Sequence, residues 1–485
     1  MSAPSDTASI PTTVPVPPPG PSDPPSPTRI VVVLAFAGIV VSLMQSLVIP
    51  LVPQLPRLLD ASAADTTWAI TATLLAGAVA VPTVGRLGDM YGKRRMLLMS
   101  IVLLVVGSVI GALAESLVPM IVARALQGLA AGVIPLGISI MRDELPRERL
   151  GGATAMMSAS LGVGGALGLP VAAFIAETAD WHVLFWAAAA MGVAALVLVL
   201  VVVPESAVRQ GGRFDFVGAV GISAGLVMLL LAVSKGADWG WTSPLTLGLG
   251  LGAVAVFAIW GAFELRTPSP LVDLRTLVRR QVLLTNIASL VFGFALFAMS
   301  LVFPQVLQLP TQTGYGLGQS LLVVGLVMAP SGLVMMVVAP LSARLSAAAG
   351  PKWSLMVGAL LVAAGYGIGV VAMSEVWQLV VISVVIGSGI GIAYGAMPAL
   401  VMGAVDASQT ASANSLNTLM RSIGTSLSSA VAGVVLAQLT LDLAGSPVPS
   451  EDAFRLVMGI GAAAALAALA IAAFLPRSRL VTTRR

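Results

Sequence analysis

Apolar residues fall in fourteen runs separated by short polar breaks. They lie at about 30–52, 66–84, 96–114, 117–141, 152–176, 183–203, 216–233, 245–263, 282–304, 319–341, 353–373, 376–403, 409–437 and 454–475. Each is close to the roughly 20 residues an α-helix needs to cross a ~30 Å hydrocarbon core. The pattern predicts an all-α membrane protein with fourteen transmembrane helices and short loops, leaving no room for a sizeable soluble domain. An even number of spans puts both termini on one side. Placing that side in the cytoplasm leaves Arg57, Lys235 and Arg455 outside and Arg124 and Arg421 within spans, while the other 20 of the 25 Lys and Arg face inward. This agrees with the positive-inside rule.

A short internal repeat divides the chain. Pro82, Arg86, Leu87 and Gly92 recur 258 residues later as Pro340, Arg344, Leu345 and Gly350, and Lys93 is answered one residue late by Lys352. Both copies follow the second span of a six-span half, as expected of a transporter built from homologous halves. The predicted organisation is a Pro-rich, extended and disordered cytoplasmic tail over 1–28, a six-helix bundle over 29–205, a two-helix insertion with its linker over 206–281, a second six-helix bundle over 282–475 and a basic cytoplasmic tail over 476–485. The first 28 residues hold ten prolines and no Lys or Arg, so they lack the basic start of a cleavable signal peptide.

Composition narrows the chemistry. With 58% hydrophobic and 9% charged residues and a mean hydropathy of +1.00, the chain is far from a soluble protein. The net charge of +4 is explained by inward arginines and calls for no nucleic-acid partner. No Cys and one His, His182, exclude disulfides, thiolate and histidine-cluster metal sites and cysteine nucleophiles. No embedded nucleophile with a base exists, so no catalytic residue, metal or cofactor is assigned and the chain is not read as an enzyme. No loop carries the G-x-x-x-x-G-K-[ST] pattern of a nucleotide-driven pump. Arg supplies 22 of the 25 basic residues, and with abundant Ala, Gly and Val this suggests a GC-rich bacterial genome and a plasma-membrane location.

The loop from Gly85 to Arg95 reads Gly-Arg-Leu-Gly-Asp-Met-Tyr-Gly-Lys-Arg-Arg. It resembles the loop between spans 2 and 3 of the major facilitator superfamily. Its glycines (Gly85, Gly88, Gly92) permit a tight turn, Asp89 can sit at the positive N-terminus of a neighbouring helix, and Lys93, Arg94 and Arg95 can pair with carboxylates across the half interface, with Arg86 completing the set. Such a charge lock favours an outward-facing state. Fourteen spans, Arg124-Ala125-Leu126-Gln127-Gly128, Pro270-Leu271-Val272-Asp273-Leu274 and Arg421 with Gly424 together resemble the drug/proton antiporter branch of that superfamily. The resemblance implies alternating access between two six-helix bundles and export of hydrophobic compounds against inward proton flow, by a protein that is a monomer by default.

That branch usually carries an acidic residue in span 1 and a Gly-Pro followed by a glycine pair in span 5. Here span 1 has Met44-Gln45-Ser46, and span 5 has Gly164, Gly165 and Gly168 with Pro170 displaced. Small residues four apart still allow close helix packing. No carboxylate lies mid-span, whereas a charge there costs at least about 2.5–3.5 kcal/mol, so Arg124 and Arg421 must face polar surroundings. Arg124 is either a strut bonded to backbone carbonyls and amide side chains or part of the coupling machinery. Proton carriers are sought among Arg124, Asp89 and Asp65, with Glu115, Glu177, Asp180 and Asp406 as further rim carboxylates; each is otherwise a solvated helix end. Polar candidates for the substrate cavity are Gln45, Gln127, Asn286, Gln305, Gln308, Asn414, Asn417 and Arg421, with Met44 as an adaptable apolar wall; each polar group can equally be interhelical glue. Two arginines and no carboxylate favour neutral or anionic hydrophobic substrates. Lipid transport or uptake on the same scaffold is the alternative, and a non-transporting sensor a remote one.

Overall fold

The computed structural model describes residues 26–48, 51, 54–206, 208–209, 211, 213–443 and 446–476. Nearly all of the 1–28 and 476–485 tails therefore lies outside the described residues. Among the described residues, fourteen helices are long and apolar enough to cross a membrane. Spans 1 to 6 are Pro27–Ser46, Trp68–Tyr91, Lys93–Ala112, Leu117–Glu144, Arg147–Thr178 and His182–Val202; spans 7 and 8 are Phe216–Trp239 and Pro244–Glu264. Spans 9 to 14 are Arg280–Gln308, Leu321–Ala349, Pro351–Val371, Val376–Met402, Thr410–Gln438 and Glu451–Ala473. In lipid each backbone amide must be satisfied within its own segment, which a helix does and an irregular chain does not.

Three buried apolar clusters explain the assembly. One is built mainly by spans 1 to 6, around Leu34, Leu97, Met141 and Phe185, and a second mainly by spans 9 to 14, around Phe292, Phe303, Ile386 and Phe454. The third seats the inserted pair: Ile222, Leu226 and Leu230 of span 7 pack with Ala78 and Val81 of span 2 and Leu416 and Leu419 of span 13. The molecule thus has two six-helix bundles plus two inserted helices. Span 8 is peripheral, only 11% of it buried against protein, and it presents Leu247, Leu251, Val254 and Ile259 outward.

Gly92 and Gly350 occupy matching turns, with φ of 118° and 95°. Each ends the second helix of its half and caps the next, in backbone that glycine adopts without steric cost. The faint sequence repeat is therefore a repeat of geometry. The ends near these turns, the side assigned by charge to the cytoplasm, are called inner below.

Some expectations are revised. The Gly85–Arg95 stretch is not a turn: span 2 stays helical to Tyr91 and only Gly92 turns. Span 4 runs to Glu144 through a 3-10 segment at Leu129–Gly132. An outer loop contains an antiparallel hairpin of β1 (Thr440–Leu443) and β2 (Ser446–Pro449), with Thr440 opposite Pro449. The hairpin follows a span whose apolar run ends without any marked alternation, so the apolar pattern did not disclose it.

Candidate functional site

At the inner end, the two bundles are joined by groups that begin as ordinary helix-end chemistry. Asp89 is fully buried. Its carboxylate accepts hydrogen bonds from the backbone N–H of Ala411 (3.2 Å), the N–H of Ser412 (2.9 Å) and the Ser412 hydroxyl (2.7 Å). These donors lie in the first turn of span 13, where helix N–H groups have no internal acceptor. A carboxylate of the first bundle therefore caps a helix of the second. Beside it, Arg142 donates to the Thr410 hydroxyl and to the carbonyl of Val405 at 3.2 Å. Close approach is possible because position 85 has no side chain: a Cβ on Gly85 would collide with Ser415 Oγ and come within 3.0 Å of the Ala411 carbonyl.

Lys93 and Arg94 bond within their own bundle. Lys93 Nζ lies 2.6 Å from Asp143 and 3.9 Å from Asp89, and Arg94 donates to the Leu200 carbonyl at 2.6 Å, all within the first bundle. Ser206 also donates to Asp143. The expected pairing of Lys93 and Arg94 across the interface is thus replaced by Asp89 and Arg142, while Lys93 orients the Asp89 end from behind. Gly88 packs on Leu136, and Arg86 is buried facing the inserted pair.

Inside the first bundle, Arg124 is buried and its guanidinium is spread over several acceptors. It donates to the carbonyls of Ala69 (3.2 Å), Met44 (2.9 Å) and Gln45 (3.5 Å) and to Gln127 Oε1 (2.7 Å). Gln127 in turn donates to Ser108 at 2.9 Å. Met44 and Gln45 are in the last turn of span 1, so the cation sits where orphan carbonyls and the negative end of the helix dipole are found. Asp65 is apart from this network: it is exposed, its backbone N–H bonded to the Ser62 hydroxyl that caps its short helix. The Gln45 side chain is exposed as well.

The second bundle holds a different polar cluster. Asn417 donates to Asn286 Oδ1 at 3.0 Å and to Ser289 Oγ at 2.7 Å, joining spans 13 and 9. One helical turn along, the Arg421 guanidinium lies over the Tyr394 ring, 4.9 Å from its centroid; its backbone rests on Gly293. Asn286 Nδ2 and the Tyr394 hydroxyl are buried without a hydrogen-bond partner among the described residues. Gln305 and Asn414 bond carbonyls of their own helices, and Gln308 does the same at an exposed position.

Span 5 uses its small residues on two faces. Gly164 and Gly168 let span 1 approach at Ser42 and Ser46, whereas Gly165 meets nothing within 4 Å. Pro170 lies across the bundle interface, 2.7 Å from where a Cβ on Gly325 would stand. On the outer side Asp180 accepts from the His182 backbone N–H at 2.8 Å and meets its ring, and His182 Nε2 is 3.2 Å from the Ala114 carbonyl. The side chain of Glu177 lies outside the described residues. Arg142, Asp143, Thr410, Ser412 and Tyr394 were not singled out from sequence. The Thr410/Ser412 pair at the start of an apolar run is the signal that marks a helix N-terminus ready for a cap.

A family model described as Major Facilitator Superfamily matches residues 34–429, with a second match over 309–484. A multidrug resistance protein B homolog of Mycobacterium tuberculosis (strain CDC 1551 / Oshkosh) is 30% identical over 307 residues, 62% of this chain and 55% of that protein. The chain thus spans about half the length of that relative. The tetracenomycin C resistance and export protein of Streptomyces glaucescens is 29% identical over 428 residues, 86% of this chain and 77% of that one. The crystal structure of the human organic anion transporter MFSD10 (TETRAN) superposes with a TM-score of 0.62 at 15% identity, covering 92% of this chain and 100% of that one; this likeness is one of fold.

Proposed function

The chain belongs to the major facilitator superfamily, and from that premise we propose that this multi-pass membrane protein exports small hydrophobic compounds by alternating access, driven by protons. The observation that carries the reading is the inner lock: Asp89 of one bundle caps span 13 of the other. A contact between bundles at the inner end is what a rocking transporter must break to open that side. In this reading the latched form is outward-facing, both termini are cytoplasmic, the rocking units are 29–205 and 282–475, and the working unit is a monomer in a bacterial plasma membrane. The names of the Mycobacterium and Streptomyces relatives support drugs or metabolites as cargo. Arg421, Asn286 and Asn417 form the polar part of the substrate surface, and Arg124 with Gln127 holds span 1 against span 4 while the cavity changes sides. Asp89 is the buried carboxylate best placed to join proton movement to unlatching.

The test is accumulation of a neutral, an anionic and a cationic fluorescent hydrophobe in cells expressing the protein, with and without a protonophore. Exclusion of the neutral and anionic dyes that collapses with the protonophore is expected. Exclusion that survives loss of the gradient overturns proton drive, and absence of any exclusion overturns export of such compounds.

A further inference from the structure

The inserted pair carries two carboxyl groups that the sequence pattern treats as ordinary helix ends. Asp215 caps the start of span 7, its Oδ1 accepting from the Gly218 N–H at 2.7 Å. Glu264 ends span 8; it is 2% exposed, and its Oε1 accepts from the Val272 N–H at 3.4 Å. The two meet over Gly218, where a Cβ would strike Asp215 Oδ2 and stand 2.8 Å from Glu264 Oε1. The two side chains thus close on the same point from the two helices, and Asp215 Oδ2 and Glu264 Oε2 are both buried without a donor among the described residues. Carboxylates only accept hydrogen bonds. Two of them packed together out of water are stable when one carries a proton and donates it to the other.

The surroundings connect this pair to the lock. Arg86, three residues before Asp89 on span 2, is within electrostatic reach of Asp215, Glu264, Asp89 and Asp273. The other charged groups facing the pair are Asp273, bonded to the N–H groups of Arg275 and Thr276, and Arg275; Arg209 and Arg213 on the incoming segment are exposed. A hollow of about 110 Å³ has Glu264, Asp273 and Arg275 on its wall. It adjoins, through Pro268, Pro270 and Asp273, a cavity of about 190 Å³ walled by Arg86, Ser412 and Ala413. Glu264 and the first turn of span 13 thus line neighbouring hollows that share the Pro268, Pro270 and Asp273 wall.

We propose that Asp215 and Glu264 form a proton-binding site at the inner end of the inserted pair, and that its occupancy regulates the Asp89 lock through Arg86. With one proton the pair bears a single negative charge. Losing that proton to inner water leaves two, which draw Arg86 away from Asp89 and repel the Asp89 carboxylate from behind. Acid on the inner side thus favours the latched form, and alkali favours release. The site senses pH whatever compound is carried and in whichever direction, so it goes beyond the export reading.

Two measurements on the purified full-length protein test it. Infrared difference spectra recorded across neutral pH are expected to contain a carboxylic C=O band that disappears as pH rises, and that is missing in both Glu264→Gln and Asp215→Asn, since an amide can donate to the remaining carboxylate without a proton. Asn also retains the N-cap. A parent spectrum without the band, or a band unchanged in both variants, overturns the proton site. For the link to the lock, Ala413→Cys in the cysteine-free chain is labelled with a maleimide in the parent and in Glu264→Gln, and the ratio of the two rates cancels the thiol's own pH dependence. The variant-to-parent ratio is expected to fall roughly fivefold as pH rises, the low end of coupling between two sites. A ratio independent of pH overturns regulation. Neither readout involves transport, so failure here and failure of export are separate results.

Discussion

Arg124 shows how a single residue resolves an intramembrane charge without a counter-ion. Its guanidinium meets three backbone carbonyls and Gln127, and the fork geometry of arginine is what lets one side chain reach spans 1 and 2 together. These bonds are ones a strut would make. Arg124→Ala removes the guanidinium donor from the Met44 carbonyl at the end of span 1 and from Gln127, while the Ala69 carbonyl keeps the Thr73 hydroxyl, and is expected to cost about 2 kcal/mol, read as a lower thermal midpoint in detergent; Arg124→Lys, a single-point donor, recovers part of it. Loss of transport with an unchanged midpoint would instead assign Arg124 to coupling. Asp180 is a milder case on the outer rim. Hydrogen bonds from the backbone N–H and ring of His182 hold its carboxyl below the usual carboxylate range. A lowered value contributes stability above the unfolded value of about 3.9, and that contribution fades as pH falls through the folded one. Asp180→Asn is therefore expected to lower the thermal midpoint at neutral pH slightly, with parent and variant converging in acid; a gap that widens in acid would contradict the assignment.

Among elements, spans 2 and 13 meet at the inner end, the contact proposed above as the lock. Three donors on a buried carboxylate, aided by the N-terminal helix dipole, make a contact of about 2 kcal/mol or more. Asp89→Asn is expected to shift the equilibrium toward the unlatched form by about that amount, read as faster labelling of a cysteine at position 413 with the fold retained. Gly85→Val acts on the same joint by bulk: its side chain cannot coexist with Ser415 at the present spacing, so it too should hold the inner ends apart. Unchanged accessibility in both variants would mean that the lock lies elsewhere. Asp89 could be read from sequence as a helix cap because its motif is local. Its partner could not, since Ser412 is more than 300 positions away and nothing local pairs the two. The same reason hid Arg142 and the Asp215–Glu264 pair, whose members are brought together only by folding of the inserted helices. The number and order of the spans, by contrast, were legible, because lipid imposes an apolar length on every crossing helix; their ends were not, since spans 2 and 10 run seven and eight residues past their apolar runs into polar inner ends.

At the scale of the whole molecule, the two bundles share a scaffold but not a chemistry. The matched turns at Gly92 and Gly350 record their common geometry, yet position 347, which answers Asp89, is Ala347, so the inner lock is made from one side only. Their buried cations differ in the same way. Arg124 is bonded to backbone carbonyls and Gln127, whereas Arg421 rests on the Tyr394 ring near two buried groups that have no partner among the described residues, Asn286 Nδ2 and the Tyr394 hydroxyl. Both arginines were counted from sequence as reasons for an anionic preference; the geometry leaves that argument to Arg421 alone. A substrate carboxylate approaching Arg421 would gain a charge-assisted hydrogen bond, about 1.5–3 kcal/mol, that a neutral analogue of the same shape does not. Arg421→Gln should therefore reduce export of an anionic hydrophobe by roughly tenfold or more relative to its neutral analogue, while Arg124→Lys should lower both together. Equal loss of both compounds in Arg421→Gln would make Arg421 a packing residue of spans 9, 12 and 13, and would move the search for substrate charge recognition away from the second bundle.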